Sequence, residues 1–422
     1  MARVLIVTKN FPPFGNQIGW MVRMVELSNF LAARGHAVSV VSLRRSKTYA
    51  HLLSVDPRVS VRYVDDPLTG GGTLPGMRVI KRVLRQVRDI FADRILIDRQ
   101  QILLAAFRKK IRTVVASSNI DTVIVSSPPC SFRLLSPWFK SEYGNRLKVI
   151  ADYRDAWTIR SVIANQVSTR RLNRQRVLEQ KTLDANDLTL FVSTGMRNQY
   201  QSRFRLGESM VVENGFVERE KSVLPPDIVD QLDTWKRDGR LIVGYVGTGS
   251  VIGEGHKDFR RLVDIVADEP DFSDKVAFVF AGRIHGLQEY SARLKMIDMG
   301  VVSHEDAFAL IARIDVGLMA YSESLEAPAI MGGKIYDYVA GTKPIWFVVP
   351  PNAESIHAFM HKHGKGYMSD AFSSEEIHHA LTRILSDFQS GRLKDQALTP
   401  VDAQQYRREN QYSLLLPHIG PN

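Results

Sequence analysis

The chain has 422 residues, of which 44% are hydrophobic and 24% are charged, as in globular proteins of two or three domains. It has no apolar run near the ~20 residues of a membrane span, and its single cysteine, Cys130, excludes an internal disulfide and a cysteine-built metal site. The chain opens on a strand-like segment without the layout of a signal peptide, which favours a cytoplasmic location.

Positive charge is concentrated in the first half of the chain. The net charge is +11, yet residues 1–215 carry 34 Lys and Arg against 16 Asp and Glu, while residues 216–422 carry 22 against 29. Residues 78–112 hold 11 basic and 3 acidic residues in a basic amphipathic pattern. Such a helix binds an anionic membrane surface or is a solvated face over a packed apolar one, and both interpretations stay open. Nucleic acid is disfavoured because aromatic residues are not interleaved with the basic ones.

The first half alternates apolar strands with helices. A helix is predicted over residues 20–34, with Met24, Leu27 and Leu31 on one face and Gly35 at its end. The predicted strands are residues 3–8, 37–42, 121–127, 148–153 and 188–193, with a late strand and turn at 211–216. Because these strands are apolar throughout, they predict a parallel sheet that is covered on both faces.

The alternation stops at residues 217–240, which contain Pro225-Pro226 and are predicted to be a linker. After it the pattern restarts, with predicted strands at 241–247, 275–282, 315–321 and 344–349 and predicted helices at 257–268 and 287–296. The polar and aromatic residues 402–416 predict one further helix.

Two such runs predict an α/β protein with two doubly wound Rossmann-like domains that face a cleft. The C-terminal helix is expected to pack back on the N-terminal domain. The predicted boundaries are 1–216, a linker at 217–240, 241–400, and a crossover helix at 401–422. Ligands of parallel sheets bind beyond the carboxyl ends of the strands, so the loops that follow strands are the candidate sites.

The segment GGKIYDYVAGTKP, residues 332–344, is the most informative of the chain. A Gly-Gly turn leads into a short helix whose N-terminus, at Gly333, offers unpaired backbone N–H groups to a phosphate. Lys334 and Asp337 lie three residues apart and therefore on one helix face. This predicts a cation for a diphosphate beside an acceptor for ribose hydroxyls. An ordinary amphipathic helix after a glycine turn is the alternative.

Two glycine-rich loops of the second half follow predicted strands. Their hydroxyl, backbone N–H and cationic groups suit a diphosphate. The candidate ligand-binding residues are Thr248, Gly249, Lys257 and Arg283. Glycine-rich turns are also often only turns, so each loop carries little weight alone.

Two loops of the first half follow strands in the same way. In FPPFGNQIGW, Gly15 and Gly19 let the backbone approach a ligand, although neither a G-x-G-x-x-G nor a G-x-x-x-x-G-K-[ST] motif is present. In ADYRDAWT, Asp155 can bind or deprotonate an acceptor hydroxyl while Arg154 orients the acceptor or contacts a phosphate. An Arg–Asp pair that caps the next helix is the alternative for the second loop.

Metal and serine-nucleophile chemistry find no support in the sequence. The 11 histidines are scattered without H-E-x-x-H or similar spacing, and no G-x-S-x-G motif is present. A metal-independent reaction is therefore expected.

Taken in order, several motifs resemble the retaining glycosyltransferases of family 4, which have the GT-B fold. The resemblance covers nearly the full length, and the SSPP and DYRDAWT segments are similar to the branch that builds bacterial O-antigen and capsule sugars. The segments that carry it are RVLIVTKNFPPFGNQIG, LAARGHAVSVVS, SSPP, DYRDAWT, VVENGF and GGKIYDYVAGTKPIW.

This resemblance implies that the second domain binds a UDP- or GDP-sugar, with no other cofactor, and that the first binds the acceptor. The implied acceptor is a lipid-linked or growing surface glycan, such as lipopolysaccharide or capsule, at the inner face of the plasma membrane. Lys257 and Arg283 would then lie near the diphosphate, Asp337 near the ribose and Gly15 near the transferred sugar.

The chain departs from the family pattern at three places. The first acid of the family's Glu-x7-Glu motif falls on Ala329, an arginine usual after the glycine of the 247 loop is Thr248, and a first-domain histidine is replaced in the Ser126-Ser127 region. These departures keep two alternatives open: a non-catalytic partner in a glycan-assembly complex, and a nucleotide-sugar epimerase.

Overall fold

The computed structural model describes residues 1–15, 19–44, 53–66, 96–159, 167–218, 222–253, 257–322, 329 and 331–420. The chain forms two compact units. The first consists of Met1–Val192, Arg197–Glu213 and Tyr412–Asn422, and the second of Ser193–Met196 and Asn214–Gln411. Among the described helices, none combines the length and apolar character needed to cross a membrane.

The described strands of the first unit form one parallel sheet of seven strands in the order β3-β2-β1-β4-β5-β6-β7. Most of these strands are buried along their length, as expected for a sheet with a hydrophobic core on each face. The strands are β1 (Arg3–Val7), β2 (Ala37–Arg44), β3 (Ser60–Asp65), β4 (Thr122–Ser127), β5 (Lys148–Tyr153), β6 (Leu188–Phe191) and β7 (Ser209–Val211).

The second unit repeats this architecture with a parallel six-stranded sheet in the order β12-β10-β8-β13-β14-β15, and a separate short pair, β11-β9. Two large apolar clusters cover the faces of the main sheet. The strands are β8 (Leu241–Val246), β9 (Gly249–Ser250), β10 (Val276–Ala281), β11 (Ile284–His285), β12 (Lys295–Asp298), β13 (Val316–Ala320), β14 (Ile345–Val349) and β15 (Tyr367–Asp370). The predicted α/β class with two Rossmann-like domains is confirmed.

Helices connect successive strands in both units. The predicted face of the first helix is confirmed, because Met24, Leu27 and Leu31 are all buried. In chain order the described helices are α1 (Gly19–Ala33), α2 (Leu104–Ser118), α3 (Leu135–Tyr143), α4 (Thr169–Asp184), α5 (Thr194–Gln201), α6 (Pro226–Arg237), α7 (Arg260–Asp268), α8 (Pro270–Ser273), α9 (His304–Arg313), α10 (Gly333–Ala340), α11 (Glu354–His363), α12 (Ser374–Gln389), α13 (Pro400–Ala403) and α14 (Arg408–Ser413).

Strand order decides where each unit can bind a ligand. In the first sheet the order reverses between β1 and β4, and in the second between β8 and β13. A crevice opens outside the carboxyl ends of the strands at such a reversal. The loops that follow β8 and β13 are therefore neighbours at one edge of the second sheet, and the loops that follow β1 and β4 are neighbours in the first.

The predicted linker contains a helix. Within residues 217–240, α6 begins at Pro226, which suits the first turn of a helix because its missing N–H has no partner there. Leu232 and Trp235 of α6 are buried in the core of the second unit. The polar sequence and the Pro-Pro pair obscured an amphipathic helix that packs by only one face.

Two predicted helices are wrong. Residues 287–296 form a 3-10 turn, Leu287–Tyr290, and then enter strand β12. Residues 402–416 are broken into short turns and α14, because Arg407 adopts an extended conformation (φ −63°, ψ 134°). The final segment still belongs to the first unit, as predicted, where the Tyr412 hydroxyl donates to the Arg23 carbonyl at 2.9 Å.

The basic segment 78–112 lies partly outside the described residues, which resume at residue 96. In its described part, α2 buries Leu104, Phe107 and Ile111 in the core of the first unit. The apolar face of this part therefore packs against protein, with the basic residues on its other side.

Candidate functional site

The N-terminus of α10 opens the candidate site of the second unit. Gly332 caps this helix without a side-chain hydrogen bond, and a Cβ at Gly333 would meet no atom within 4 Å. A Cβ at Gly332 would instead clash with Met319 and with the Tyr321 hydroxyl, each 2.6 Å away. The space beside the first residue of the helix is therefore open among the described residues, at the end where a helix has N–H groups without intrahelical partners.

Lys334 places its ammonium group beside that helix start. Its Nζ atom is buried from solvent and has no hydrogen-bond partner among the described residues. It lies 3.5 Å from the centroid of the Tyr245 ring, and a Cβ at Gly247 would lie 3.5 Å from it. The side chain of α10, after β13, therefore reaches the loop after β8, which is the neighbourhood expected from the strand order.

The electrostatics around Lys334 favour an anion. Burial holds the pKa of Lys334 well below its ordinary value of 10.5, and the charge of Lys257 lowers it further, while Asp337 acts in the opposite direction. Burial also lowers the pKa of Lys257, whose Nζ lies 5.9 Å from the Tyr321 ring centroid. Two cations that are desolvated close together destabilise each other until an anion arrives.

Asp337 follows Lys334 by three residues on α10 and is half-buried. The helix therefore carries the predicted carboxylate on the face of its cation. The Asp337 carboxylate raises the pKa of Lys334, but burial and the charge of Lys257 have the larger, opposite effect.

The backbone around Gly247 is shaped by a second glycine. Gly247 donates its N–H to the Ala281 carbonyl at 2.7 Å. Gly282 has φ +136°, and a Cβ there would lie 2.1 Å from the Gly247 oxygen. Only glycine permits this contact, which draws the loops after β8 and β10 together.

We expect Gly282→Ala to destabilise the second unit by at least about 1–3 kcal/mol, since the new methyl group meets the Gly247 backbone in a conformation that alanine rarely adopts. Chemical denaturation measures the change. Gly391→Ala is the control, because Gly391 also has a positive φ of 71° but open space around its Cβ. Equal effects of the two substitutions would contradict the close packing of these loops.

The remaining predicted residues of the second unit lie in these same loops. Thr248 is exposed, and its carbonyl accepts from the Tyr245 hydroxyl at 2.6 Å. Gly249, in β9, donates to the Arg283 carbonyl at 3.0 Å, so Arg283 joins the loop through its backbone. The Arg283 side chain is exposed. Lys257, Lys334 and the Gly247–Gly249 turn are thus brought together, with Arg283 at the exposed side.

In the first unit, a buried ion pair lies where the strand order reverses. Arg23 of α1 donates to both carboxylate oxygens of Asp152, the closest contact being 2.8 Å, and the two side chains are 5% and 1% exposed. Ser126, paired with Asp152 in the β4–β5 register, donates to the same carboxylate at 3.1 Å. The Asp152 carboxylate therefore links α1 to the ends of strands β4 and β5.

Arg154 and Asp155 follow this ion pair in the loop after β5. Arg154 Nε lies 4.0 Å from Asp152, and burial lowers the pKa of its guanidinium group. The Asp155 side chain is exposed, while its carbonyl accepts from Arg133. Gly15 ends the described loop after β1, and Gly19 begins α1. The roles assigned to these four residues stay predictions.

A second buried ion pair, between Arg133 and Glu179, contacts the backbone of the loop after β5. The contact is 2.7 Å and the side chains are 1% and 0% exposed. Glu179 also accepts from the Thr158 N–H at 3.0 Å and from the Tyr200 hydroxyl at 2.6 Å. Burial raises the pKa of Tyr200 well above its ordinary value, so this hydroxyl remains a donor. The network ties α4 to residues 154–158.

Sequence reasoning missed several of these residues. Arg23 is a single cation inside the apolar stretch of α1, and Glu179 is one of several charges on α4. The isolated arginine was a usable signal, because a cation among buried residues requires a partner. No sequence pattern marked Tyr245 and Gly282, because their roles depend on contacts with loops that are distant in the sequence.

Similar solved structures cover nearly the whole chain. Sucrose-phosphate synthase from Thermosynechococcus elongatus has a TM-score of 0.65 and 13% identity, over 98% of this chain and 97% of that chain. HepE from Anabaena, solved in complex with UDP-glucose, has a TM-score of 0.58 and 14% identity, over 99% and 100%. WaaG, a glycosyltransferase involved in lipopolysaccharide biosynthesis, has a TM-score of 0.56 and 13% identity, over 98% and 97%.

No protein-family model and no curated protein sequence matches the chain. At this level of identity, the structural likeness shows the fold. Its two Rossmann-like units correspond to those of the GT-B glycosyltransferases. The chain therefore has the GT-B fold.

Proposed function

We propose that this protein is a glycosyltransferase that moves a sugar from a UDP- or GDP-sugar to a hydroxyl of a lipid-linked or growing glycan, with retention of configuration. One observation carries the proposal: the buried Nζ of Lys334 has no hydrogen-bond partner among the described residues and lies against the glycine turn at Gly247. The GT-B fold and the UDP-glucose complex of the similar HepE structure support it.

A diphosphate matches the charge and the geometry of this place. It brings negative charge to Lys334 and Lys257, whose pKa values burial has lowered. The N-terminus of α10 adds backbone N–H groups that need no reorganisation. When the bond to the sugar breaks, negative charge builds up on the departing diphosphate, so the same groups stabilise the transition state.

The acceptor hydroxyl would be bound by the first unit. Arg154 and Asp155, in the loop after β5, are the residues proposed to orient it. The departing phosphate oxygen can itself take the proton of this hydroxyl. Such a proton transfer would leave the predicted site without need of a separate base.

Ala329 favours a second candidate function, which is donor binding without turnover. Its carbonyl accepts from Ser193 at 3.0 Å, and its methyl side chain stands where the resemblance places a carboxylate. A protein of this kind would bind the nucleotide as a partner in glycan assembly.

Calorimetric titration with UDP, GDP, CDP, ADP and NAD tests the donor site. We expect selective binding of UDP or GDP, which at 100 times the dissociation constant stabilises the folded chain by about 2.7 kcal/mol. Lys257→Ala should weaken this binding by about tenfold or more, since a charge-assisted contact is lost. Lys394→Ala, at an exposed position, should leave it unchanged.

Binding of NAD alone, or of none of these nucleotides, would contradict the proposed donor site. Incubation with radiolabelled UDP-glucose and GDP-mannose then separates the two candidate functions. Release of the sugar supports the enzyme, and nucleotide binding that never consumes the donor supports the binding partner.

A further inference from the structure

The first unit contains a cationic cavity that the proposed donor site does not use. It has a volume of about 440 Å³ and lies at the start of α4. Three arginines line it, Arg170, Arg171 and Arg174, and the lining includes no acidic residue among those described.

Arg170 and Arg174 are exposed and carry like charges at the rim of this cavity. The first turn of α4 has no acidic residue, and its N-terminus carries a partial positive charge of its own. Arg170 and Arg174 are four residues apart on one face, where like charges destabilise a helix. An anion in the cavity would relieve both repulsions.

Two carboxylates on the described neighbouring segments, those of Asp98 and Glu179, are engaged elsewhere. Asp98 accepts from the Gln100 N–H at 3.0 Å and from Ser131 at 2.6 Å. Glu179, further along α4, is buried against Arg133. Neither is among the residues that line the cavity.

The walls of the cavity are tied to the surrounding fold. Arg171 donates to the Leu96 carbonyl at 2.5 Å and so holds the segment that supplies Ile97. Gln175 lines the cavity and accepts from the buried Trp157 indole at 3.3 Å. Trp157 belongs to the loop after β5, so the cavity adjoins the loop that carries Arg154 and Asp155.

We propose that this cavity binds the phosphate or diphosphate group of an organic ligand. Guanidinium groups recognise phosphate oxygens in a bidentate manner and cannot lose their charge at physiological pH. Ile97 and Leu178 supply apolar lining for the organic part of the ligand. The assignment of that ligand as the glycan acceptor rests on the proposed function, whereas the binding itself does not.

Titration with pyrophosphate and with farnesyl diphosphate tests the cavity, in full-length Lys334→Met protein so that the donor site is disabled. Arg170→Gln/Arg174→Gln should raise both dissociation constants at least about tenfold, because two charge-assisted contacts are lost. Arg176→Gln is the matched control, since Arg176 is exposed on the same helix like Arg170 and Arg174 but does not line the cavity. It should change binding less than about twofold.

The comparison of the two ligands identifies the source of the phosphate: tighter farnesyl diphosphate binding indicates a lipid-linked group, and equal binding indicates a free or sugar phosphate.

Equal effects of the double substitution and of Arg176→Gln would overturn the proposal. It would also be overturned if the arginines were needed only for retention on phosphatidylglycerol vesicles, with no soluble diphosphate bound. UDP titration of the Arg170→Gln/Arg174→Gln chain with native Lys334 separates the two sites, because a lack of UDP binding there would contradict the donor site alone.

Discussion

Lys334→Met is expected to remove the tight binding of UDP or GDP to the second unit and, at the same time, to raise the unfolding temperature of the ligand-free protein. Methionine keeps the length of the side chain and its contact with the Tyr245 ring, but removes the ammonium group. The loss of binding follows because the buried cation faces the glycine turn where the diphosphate is proposed to lie.

The expected gain in stability follows because the Lys334 ammonium group makes no hydrogen bond to a described residue. The Lys334 Nζ is buried without a hydrogen-bond partner among the described residues, and an unpaired buried polar group costs about 1–3 kcal/mol. Removing it should raise the unfolding temperature of a unit of this size by several degrees, at about 2–4 °C per kcal/mol. Differential scanning calorimetry of both proteins measures this shift.

The difference in stability between Lys334→Met and the wild type should also depend on pH, and its sign can be derived. Burial lowers the pKa of Lys334 in the folded chain, so between that value and 10.5 the unfolded chain binds more protons. The stability of the wild type therefore rises with pH across this window. We expect the advantage of Lys334→Met to be largest at low pH within the stable range and to shrink towards pH 10.5.

Nucleotide binding should also be linked to protonation of the Lys334 amine. A diphosphate raises the pKa of Lys334, so binding to the wild type should take up protons, which calorimetry in buffers of different ionisation enthalpy detects. Lys394→Met, at an exposed position, should alter neither stability nor binding. Tight UDP binding by Lys334→Met, or a lowered unfolding temperature, would contradict the role assigned to this residue.

Glu179→Gln is expected to destabilise the first unit by about 3–5 kcal/mol. The substitution keeps the shape of the side chain but leaves the buried Arg133 guanidinium without its counter-charge. It also weakens the acceptor for Thr158 and Tyr200, which hold the loop after β5. Urea denaturation followed by tryptophan fluorescence measures the effect, since Trp157 lies in that loop.

The chain offers a matched ion pair on its surface. Arg112 and Glu142 form a two-point contact at 2.9 Å, but their side chains are 53% and 33% exposed. Glu142→Gln should therefore leave the denaturation midpoint within error, because solvent screens the pair. Comparable midpoints for Glu179→Gln and Glu142→Gln would show that the buried network does not stabilise the first unit.

Local sequence was sufficient to identify most of the sheet strands and the start of α10. Continuous apolar runs such as residues 241–247 can only be buried, and Gly332-Gly333 marks a helix start that lacks side-chain cover. Lys334 and Asp337 share a helix face because of the 3.6-residue period alone. These features need only near neighbours in the chain.

Local sequence failed where a polar segment packs by one face or changes direction. The helix α6 was predicted as a linker because its two buried residues, Leu232 and Trp235, are outnumbered by polar ones. Residues 287–296 have a helix-like composition, yet they supply an edge strand because β10 offers an unpaired partner at Ala277–Phe280. Pairing with a distant strand decided the conformation there.

Local residue patterns predict the alternation of strands and helices, and with it the two-unit α/β class and the candidate loops. The tertiary structure decided which loops meet. Arg23 reaches Asp152 across 129 residues and Lys334 reaches Gly247 across 87, because strand order reverses at β1–β4 and at β8–β13. Periodicity carries no information on strand order, which depends on long-range packing of the whole sheet.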